Sequence, residues 1–113
     1  LARLGIPRFD LVCVDLYPLE EEIAKPDSAR ESIIEKTDIG GPALLRAAAK
    51  SRRLVVASAN TRQTVLQKLR DNTADHPDFR LLLALEAEQC VADYCTTSAT
   101  YLDSCLAKRL SRA

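Results

Sequence analysis

Two short, largely apolar segments constrain the fold of this chain more than any other feature of its sequence. Phe9 to Leu16 and Leu54 to Ala57 each have the length and composition of a strand. Runs of this kind are typical of parallel strands that are buried on both faces. Helical patterns separate the two runs, so we predict parallel strands joined by a right-handed crossover. The sequence therefore predicts an α/β protein.

The length of the chain limits how complete this sheet can be. The 113 residues allow one small domain. A parallel sheet of two strands is rarely stable alone, and the sequence begins at Leu1 without an initiator methionine. We therefore expect further strands to come from a segment outside this chain or from a partner.

Apolar spacing and capping residues predict the helices. A charged, exposed connection at Glu20 to Glu22 precedes a helix that is capped by Asp27 or Ser28 and ends near Lys36. A second helix runs from Pro42 to Lys50.

The third predicted helix starts at a cap on Asn60 or Thr61, and a polar loop from Asp71 to Pro77 follows it. The last helical region is predicted to break near Thr96 to Ser98. The residues predicted to face inward are Ile33, Ile34, Val65, Leu66, Leu69, Phe79, Leu82, Leu83, Ala87, Val91, Tyr94, Tyr101 and Leu102.

Charge and hydropathy argue against nucleic-acid and membrane partners. The chain carries 16 basic and 16 acidic residues, so its formal net charge is zero. The basic group of Lys108, Arg109 and Arg112 is typical of a solvated helix end. The sequence shows no apolar run long enough to cross a bilayer and no secretory signal. We expect a cytoplasmic protein.

The cysteines and the single histidine do not form a metal-binding pattern. Cys13, Cys90, Cys95 and Cys105 contain no C-x-x-C pair, and His76 is the only histidine. We predict no metal site, and we interpret the cysteines as small buried apolar residues rather than disulfide partners. His76 is interpreted as a loop residue.

The segment from Thr37 to Lys50, T-D-I-G-G-P-A-L-L-R-A-A-A-K, places a carboxylate on a glycine turn that enters a helix. Gly40 and Gly41 allow close approach of the backbone or a tight turn with positive φ. Unpaired amides at a helix start attract negative charge. Asp38 is therefore a candidate for proton transfer, and the alternative is a capping aspartate that only steadies the helix. Ligands of parallel sheets bind at the carboxyl ends of the strands, where we expect Asp15, Tyr17 and Asp38.

Two motifs carry a family resemblance. D-I-G-G-P-A-L-L-R-A-A-A-K resembles a signature of the IMP cyclohydrolase domain of the bifunctional purine-biosynthesis enzymes that also carry AICAR transformylase. F-D-L-V-C-V-D-L-Y-P-L is similar to that family's F-D-L-V-V-V-N-L-Y-P-F. The resemblance is strong from Ile6 to Lys50 and weak afterwards. It implies that residues 1–113 are the C-terminal part of a methylglyoxal-synthase-like, three-layer α-β-α domain. The N-terminal part is then missing, and the transformylase domain is absent.

The resemblance also implies a reaction, namely ring closure of a formylated aminoimidazole carboxamide ribonucleotide to IMP with loss of water. Asp38 would transfer protons, and Tyr17 and Lys50 would assist. Substrate contacts would come from Asp15 and from Ile39, Gly40 and Gly41, whose amides hold the base or its oxyanion. The resemblance implies no cofactor, a purine nucleotide as ligand and a homodimer.

Departures from the family keep a second interpretation open. The family usually has asparagine where this chain has Asp15, and an ionised aspartate only accepts hydrogen bonds. The family's D-P-x-D-Y is replaced here by A-S-A-N-T-R at Ala57 to Arg62. The alternative is a non-catalytic module of the same fold that binds a purine nucleotide or serves assembly. Nine helical residues span roughly 13 Å, so Lys50 need not contact Asp38. For Arg46, on the same helix, we expect an ion pair.

Overall fold

The structure, a computed structural model, describes residues 1–112. After a short 3₁₀ turn at Ala2–Leu4, the elements are β1 (Leu11–Cys13), α1 (Leu19–Ala24), α2 (Arg30–Lys36), α3 (Gly40–Lys50), β2 (Leu54–Val56), α4 (Ala59–Arg70) and α5 (Pro77–Ser111).

The two strands form a parallel sheet, which confirms the predicted α/β class. Leu11 lies opposite Leu54, and Cys13 lies opposite Val56. Both strands are shorter than predicted, and they differ in burial. All of β2 is buried, whereas Leu11 in β1 is 38% exposed. The prediction that both strands are buried is wrong for β1 because α3, α4 and α5 all pack on β2, whereas α3 alone packs closely on β1.

The core lies where α3 and α5 meet β2. Leu45 and Val55 are fully buried, and Ala48 and Ala49 let α3 approach its neighbours closely. Small side chains permit this approach because they leave little volume between packed helix backbones. From α5 the core receives Phe79, Leu83, Ala87 and Val91, as predicted.

Four helix starts differ from the sequence prediction. The charged connection is in fact a helix, α1, which forms because Leu19 inserts into the interior at 2% exposure. Ala29 precedes α2, without a side-chain cap. Ser58 caps α4 by accepting a hydrogen bond from the amide of Thr61. α3 begins at Gly40, two residues before Pro42.

The predicted break in the last helix is absent, because α5 runs unbroken through residues 96–98. The hydroxyls of Thr96 and Thr97 donate to the carbonyls of Ala92 and Asp93, at 2.9 and 3.1 Å, so they are satisfied inside the helix. Six leucines are exposed along α5, namely Leu81, Leu82, Leu85, Leu102, Leu106 and Leu110. Among residues 1–112, none of the helices combines the length and apolarity that a membrane crossing needs.

Several side chains predicted to be buried are exposed. Cys13 is exposed because β1 is open to solvent, and Cys95 is exposed on α5. Cys90 packs against the core, and burial raises the pKa of its thiol. All four cysteines are free thiols. Apolar residues that were predicted to face inward but lie exposed are Ile34, Leu66, Leu69, Leu82 and Leu102. Each is only partly covered by its neighbours, with 40–51% of its surface exposed.

Candidate functional site at the carboxyl edge of the sheet

The carboxylate of Asp38 joins three segments of the chain. Its Oδ1 accepts a hydrogen bond from the amide of Gly41 at 2.8 Å, and its Oδ2 accepts one from the amide of Tyr17 at 3.3 Å. The amide of Asp38 itself donates to the hydroxyl of Tyr94 at 2.8 Å. The loop after β1, the start of α3 and the middle of α5 therefore meet at this residue.

Gly41 is required by close packing rather than by a left-handed backbone. Among residues 1–112, Gly5 is the only glycine with positive φ. A Cβ on Gly41 would lie 2.6 Å from Oδ2 of Asp38 and 2.7 Å from Cδ2 of Leu16. A Cβ on Gly40 would meet nothing within 4 Å. The close approach predicted for the glycine turn thus occurs at Gly41, and its partners are Asp38 and Leu16.

A cleft of about 280 Å³ opens beside this junction, between the loop after β1, α1 and α5. Tyr17 and Tyr94, which both contact Asp38, line this cleft. Its other lining residues are Leu16, Pro18, Leu19, Glu20, Glu21, Cys90, Asp93 and Thr97. The cleft combines apolar walls with a few polar groups, as small-molecule sites commonly do.

The hydroxyl of Tyr17 points to a buried carboxylate on α1. It donates to Oε2 of Glu22 at 3.1 Å, and Glu22 is only 6% exposed. Lys25 and Lys36 also donate to Glu22, at 2.8 and 2.6 Å. These two ammonium groups, Lys25 first, lower the pKa of Glu22 to about 2. Glu22 in turn raises the pKa of both lysines. The position of the Tyr17 ring is therefore held by a charged cluster.

This cluster predicts a specific pH dependence of stability. Because folding lowers the pKa of Glu22 from 4.5 to about 2, its stabilising contribution is present above pH 4.5 and is lost as the pH falls toward 2. We expect Glu22→Gln to flatten the fall in the free energy of unfolding over that range. Urea unfolding at a series of pH values measures it, with Glu21→Gln on the same helix as the control. Equal pH profiles for wild type and Glu22→Gln would contradict the prediction.

In the structure, Asp15 and Lys50 make no hydrogen bond to Asp38, whose partners are Tyr17, Tyr94 and Gly41. Asp15 is exposed, and it pairs with Nη2 of Arg62 at 2.8 and 3.0 Å. Lys50 is exposed at the last residue of α3, and the 11 residues of that helix span roughly 16 Å. The chain does not bring Lys50 to the Asp38 junction. Arg46 forms an ion pair with Glu88 at 3.4 Å, which confirms the prediction for this residue.

Sequence reasoning missed the site contributions of Tyr94, Glu22 and Arg62. Tyr94 was predicted only as a core residue, and its spacing on α5 carried no sign that its hydroxyl meets a residue 56 positions away. Glu22 was interpreted as part of a solvated charge run, although Lys25 three residues later was a usable signal for one ion pair.

The Tyr94 contact leads to a direct test. We expect Tyr94→Phe to cost about 1–3 kcal/mol of stability because it leaves the amide of Asp38 without its acceptor. Thermal or urea unfolding of the two proteins measures this difference. Tyr101→Phe, also a tyrosine on α5, is the matched control. A loss no larger for Tyr94→Phe than for Tyr101→Phe would show that the hydrogen bond is unimportant.

The site thus defines a class of protein, an α/β protein with a carboxylate and two tyrosines beside a cleft at the carboxyl edge of parallel strands. Within residues 1–112, no group of three or more histidine, cysteine, aspartate or glutamate side chains is arranged to hold a metal ion.

Comparison with known proteins identifies the family. A protein of Chlorobium phaeobacteroides is 44% identical over 101 residues, covering 87% of this chain and 19% of the relative. One of Lactobacillus acidophilus is 40% identical over 104 residues (90% and 20%), and one of Desulfitobacterium hafniense is 42% identical over 106 residues (92% and 20%). All three are named bifunctional purine biosynthesis protein PurH. No family model matches the chain.

The chain belongs to the PurH family, whose matched members are named for purine biosynthesis. It spans about a fifth of the length of the relatives it matches.

Proposed function

We propose that this chain contributes the IMP cyclohydrolase activity of a purine-biosynthesis enzyme. The reaction closes a formylated aminoimidazole carboxamide ribonucleotide to IMP and releases water. The observation that carries the proposal is the Asp38 carboxylate, fixed by the amides of Gly41 and Tyr17 beside a cleft. The two sequence motifs and the names of the relatives support the same assignment.

Ring closure mainly requires a held conformation and proton transfer. The carboxamide nitrogen attacks the formyl carbon and loses one proton, the formylamino nitrogen loses another, and the former formyl oxygen takes up both and leaves as water. In the proposal Asp38 moves these protons, and Tyr17 assists from the wall of the cleft. In the proposal the amides of Ile39 and Gly40 stabilise the developing charge, since the first amides of a helix have no acceptor within the helix, while the amide of Gly41 holds the Asp38 carboxylate.

Asp15 and Lys50 have separate places in this proposal. Asp15 lies at the end of the β1 segment and contacts the substrate through its carboxylate. Lys50 is assigned an assisting role by the resemblance alone, because it lies at the far end of α3. No cofactor is assigned, and the transformylase activity of such enzymes has no residues assigned to it in this chain.

A second candidate function, a purine-nucleotide-binding or assembly module without turnover, is favoured by one observation. Both oxygens of Asp38 already accept hydrogen bonds from backbone amides, at 2.8 and 3.3 Å. A carboxylate used in this way steadies the helix start and the loop after β1 without needing to move a proton.

Turnover and binding together distinguish the two candidates. The chain in its full natural sequence context is given the formylated substrate, and formation of IMP is followed by ultraviolet absorbance. Calorimetry measures the affinity for IMP in parallel. Turnover supports the cyclohydrolase. Binding of IMP without turnover supports the binding module, and the absence of both leaves an assembly role.

The proposal includes a cytoplasmic homodimer. Leu102, Leu106 and Leu110 support association, because their spacing of four residues places these exposed side chains on one face of α5, and an exposed apolar patch is typical of interaction sites. Sedimentation of the protein in its full sequence context tests this, and a monomer at micromolar concentration would contradict it.

A further inference from the structure

An ion pair lies at the same edge of the sheet as the proposed site. Asp15 comes two residues after β1, and Arg62 lies in the first turn of α4, which follows β2. Nη2 of Arg62 donates to both oxygens of Asp15, at 2.8 and 3.0 Å. The two residues are 47 positions apart in the sequence. The fold thus brings together an acceptor group and a donor group at the carboxyl ends of neighbouring parallel strands, where ligands of such sheets bind.

The guanidinium group of Arg62 is only partly engaged by its neighbours. Its Nε is buried and has no hydrogen-bond partner within residues 1–112. The Asp15 carboxylate, and then the thiol of Cys13, raise the pKa of the guanidinium. Because one nitrogen serves both oxygens of Asp15, the second amino group of the guanidinium, Nη1, is not used by that contact. Both side chains are still accessible to a ligand, since the side chain of Arg62 is 42% exposed and that of Asp15 is 71% exposed.

The pair has the hydrogen-bonding capacity of a carboxamide. An ionised aspartate only accepts, and a guanidinium only donates, whereas asparagine does both. Asp15 stands where the resembled family usually has asparagine, and Arg62 lies in the A-S-A-N-T-R segment that replaces the family's D-P-x-D-Y. The two departures from the family pattern therefore touch each other in the structure.

We propose that Asp15 and Arg62 act as one recognition unit for the carboxamide of the substrate, in which Arg62 both orients Asp15 and contacts the substrate. Asp15 accepts the N–H of the carboxamide, and Nη1 of Arg62 donates to its carbonyl oxygen. This inference rests on the proposed function. It makes Arg62 a determinant of substrate affinity, although it takes no part in proton transfer.

The test is a double-mutant cycle on the protein in its full natural sequence context. We expect Arg62→Ala and Asp15→Ala each to raise KM for the formylated substrate about tenfold with little change in kcat. Combining them should raise KM no further than either single change, because each substitution alone already removes the recognition unit. Arg80→Ala is the matched control, since it removes the exposed pair with Asp75 near the start of β2.

The outcomes show whether the effects of the substitutions at Asp15 and Arg62 on KM are coupled or independent. The recognition unit would be overturned if KM in the double variant rose by the product of the two single-variant factors. It would also be overturned if Arg62→Ala lowered the melting temperature but left KM unchanged. Affinity for IMP, measured by calorimetry on the same four proteins, applies the same criterion if the wild type shows no turnover. If the protein shows no turnover but the two substitutions are coupled in IMP binding, the cyclohydrolase proposal is rejected and the recognition unit is retained. If it shows turnover but no coupling, the cyclohydrolase proposal is retained and the recognition unit is rejected.

Discussion

Asp38→Asn is expected to lower kcat for ring closure by about 10²- to 10⁴-fold, the usual contribution of one general acid–base group. Asparagine cannot take up a proton at neutral pH, but its oxygen can still accept from the amide of Gly41. Its NH₂ group then faces the amide of Tyr17 in place of Oδ2. We therefore also expect a stability loss of about 1–3 kcal/mol from that unpaired amide.

The measurement separates these two effects. IMP formation is followed by ultraviolet absorbance at a temperature where melting curves show both proteins fully folded, and KM is determined with kcat. Asp93→Asn is the matched control, because Asp93 lines the same cleft. Equal kcat for wild type and Asp38→Asn would leave the enzyme but remove Asp38 as its proton carrier. An Asp93→Asn loss of the same size would assign the effect to the charge of the cleft.

Gly41→Ala is expected to destabilise the fold by about 1–3 kcal/mol, the usual cost of overpacking, and to displace the Asp38 carboxylate. The added Cβ would lie 2.6 Å from Oδ2 of Asp38 and 2.7 Å from Cδ2 of Leu16. Both neighbours are held, since Asp38 is bonded to two amides and Leu16 packs against the core. The substitution therefore acts on the site and on the core together.

The adjacent glycine provides the control for this effect. A Cβ on Gly40 meets nothing within 4 Å, and Gly40→Ala restricts the unfolded chain. We expect Gly40→Ala to change stability by no more than about 1 kcal/mol, in the stabilising direction. Urea unfolding of the two variants measures the difference between them. Equal stabilities would show that the Gly41 contact relaxes without cost.

The sequence by itself determined the class of fold and the centre of the candidate site. Apolar runs separated by helical patterns were enough to predict parallel strands, although only β2 is buried throughout, as such runs usually indicate. Asp38 was identifiable because a carboxylate, two glycines and a proline before an apolar helix form a local pattern. The buried face of α5 could also be predicted, because its apolar residues recur with the helical period of 3.6 residues. Each of these signals lies within a few neighbouring residues.

Tertiary structure decided everything that depends on contacts between distant residues. The burial of Glu22 depends on Lys36, which lies 14 positions away on another helix. Tyr94 and Arg62 reach the site across 56 and 47 positions. The exposure of β1 and of Cys13 depends on which elements cover that strand. Local patterns specify the period and ends of an element, but its neighbours are set by how the whole chain packs, and packing determines burial, pairing and pKa.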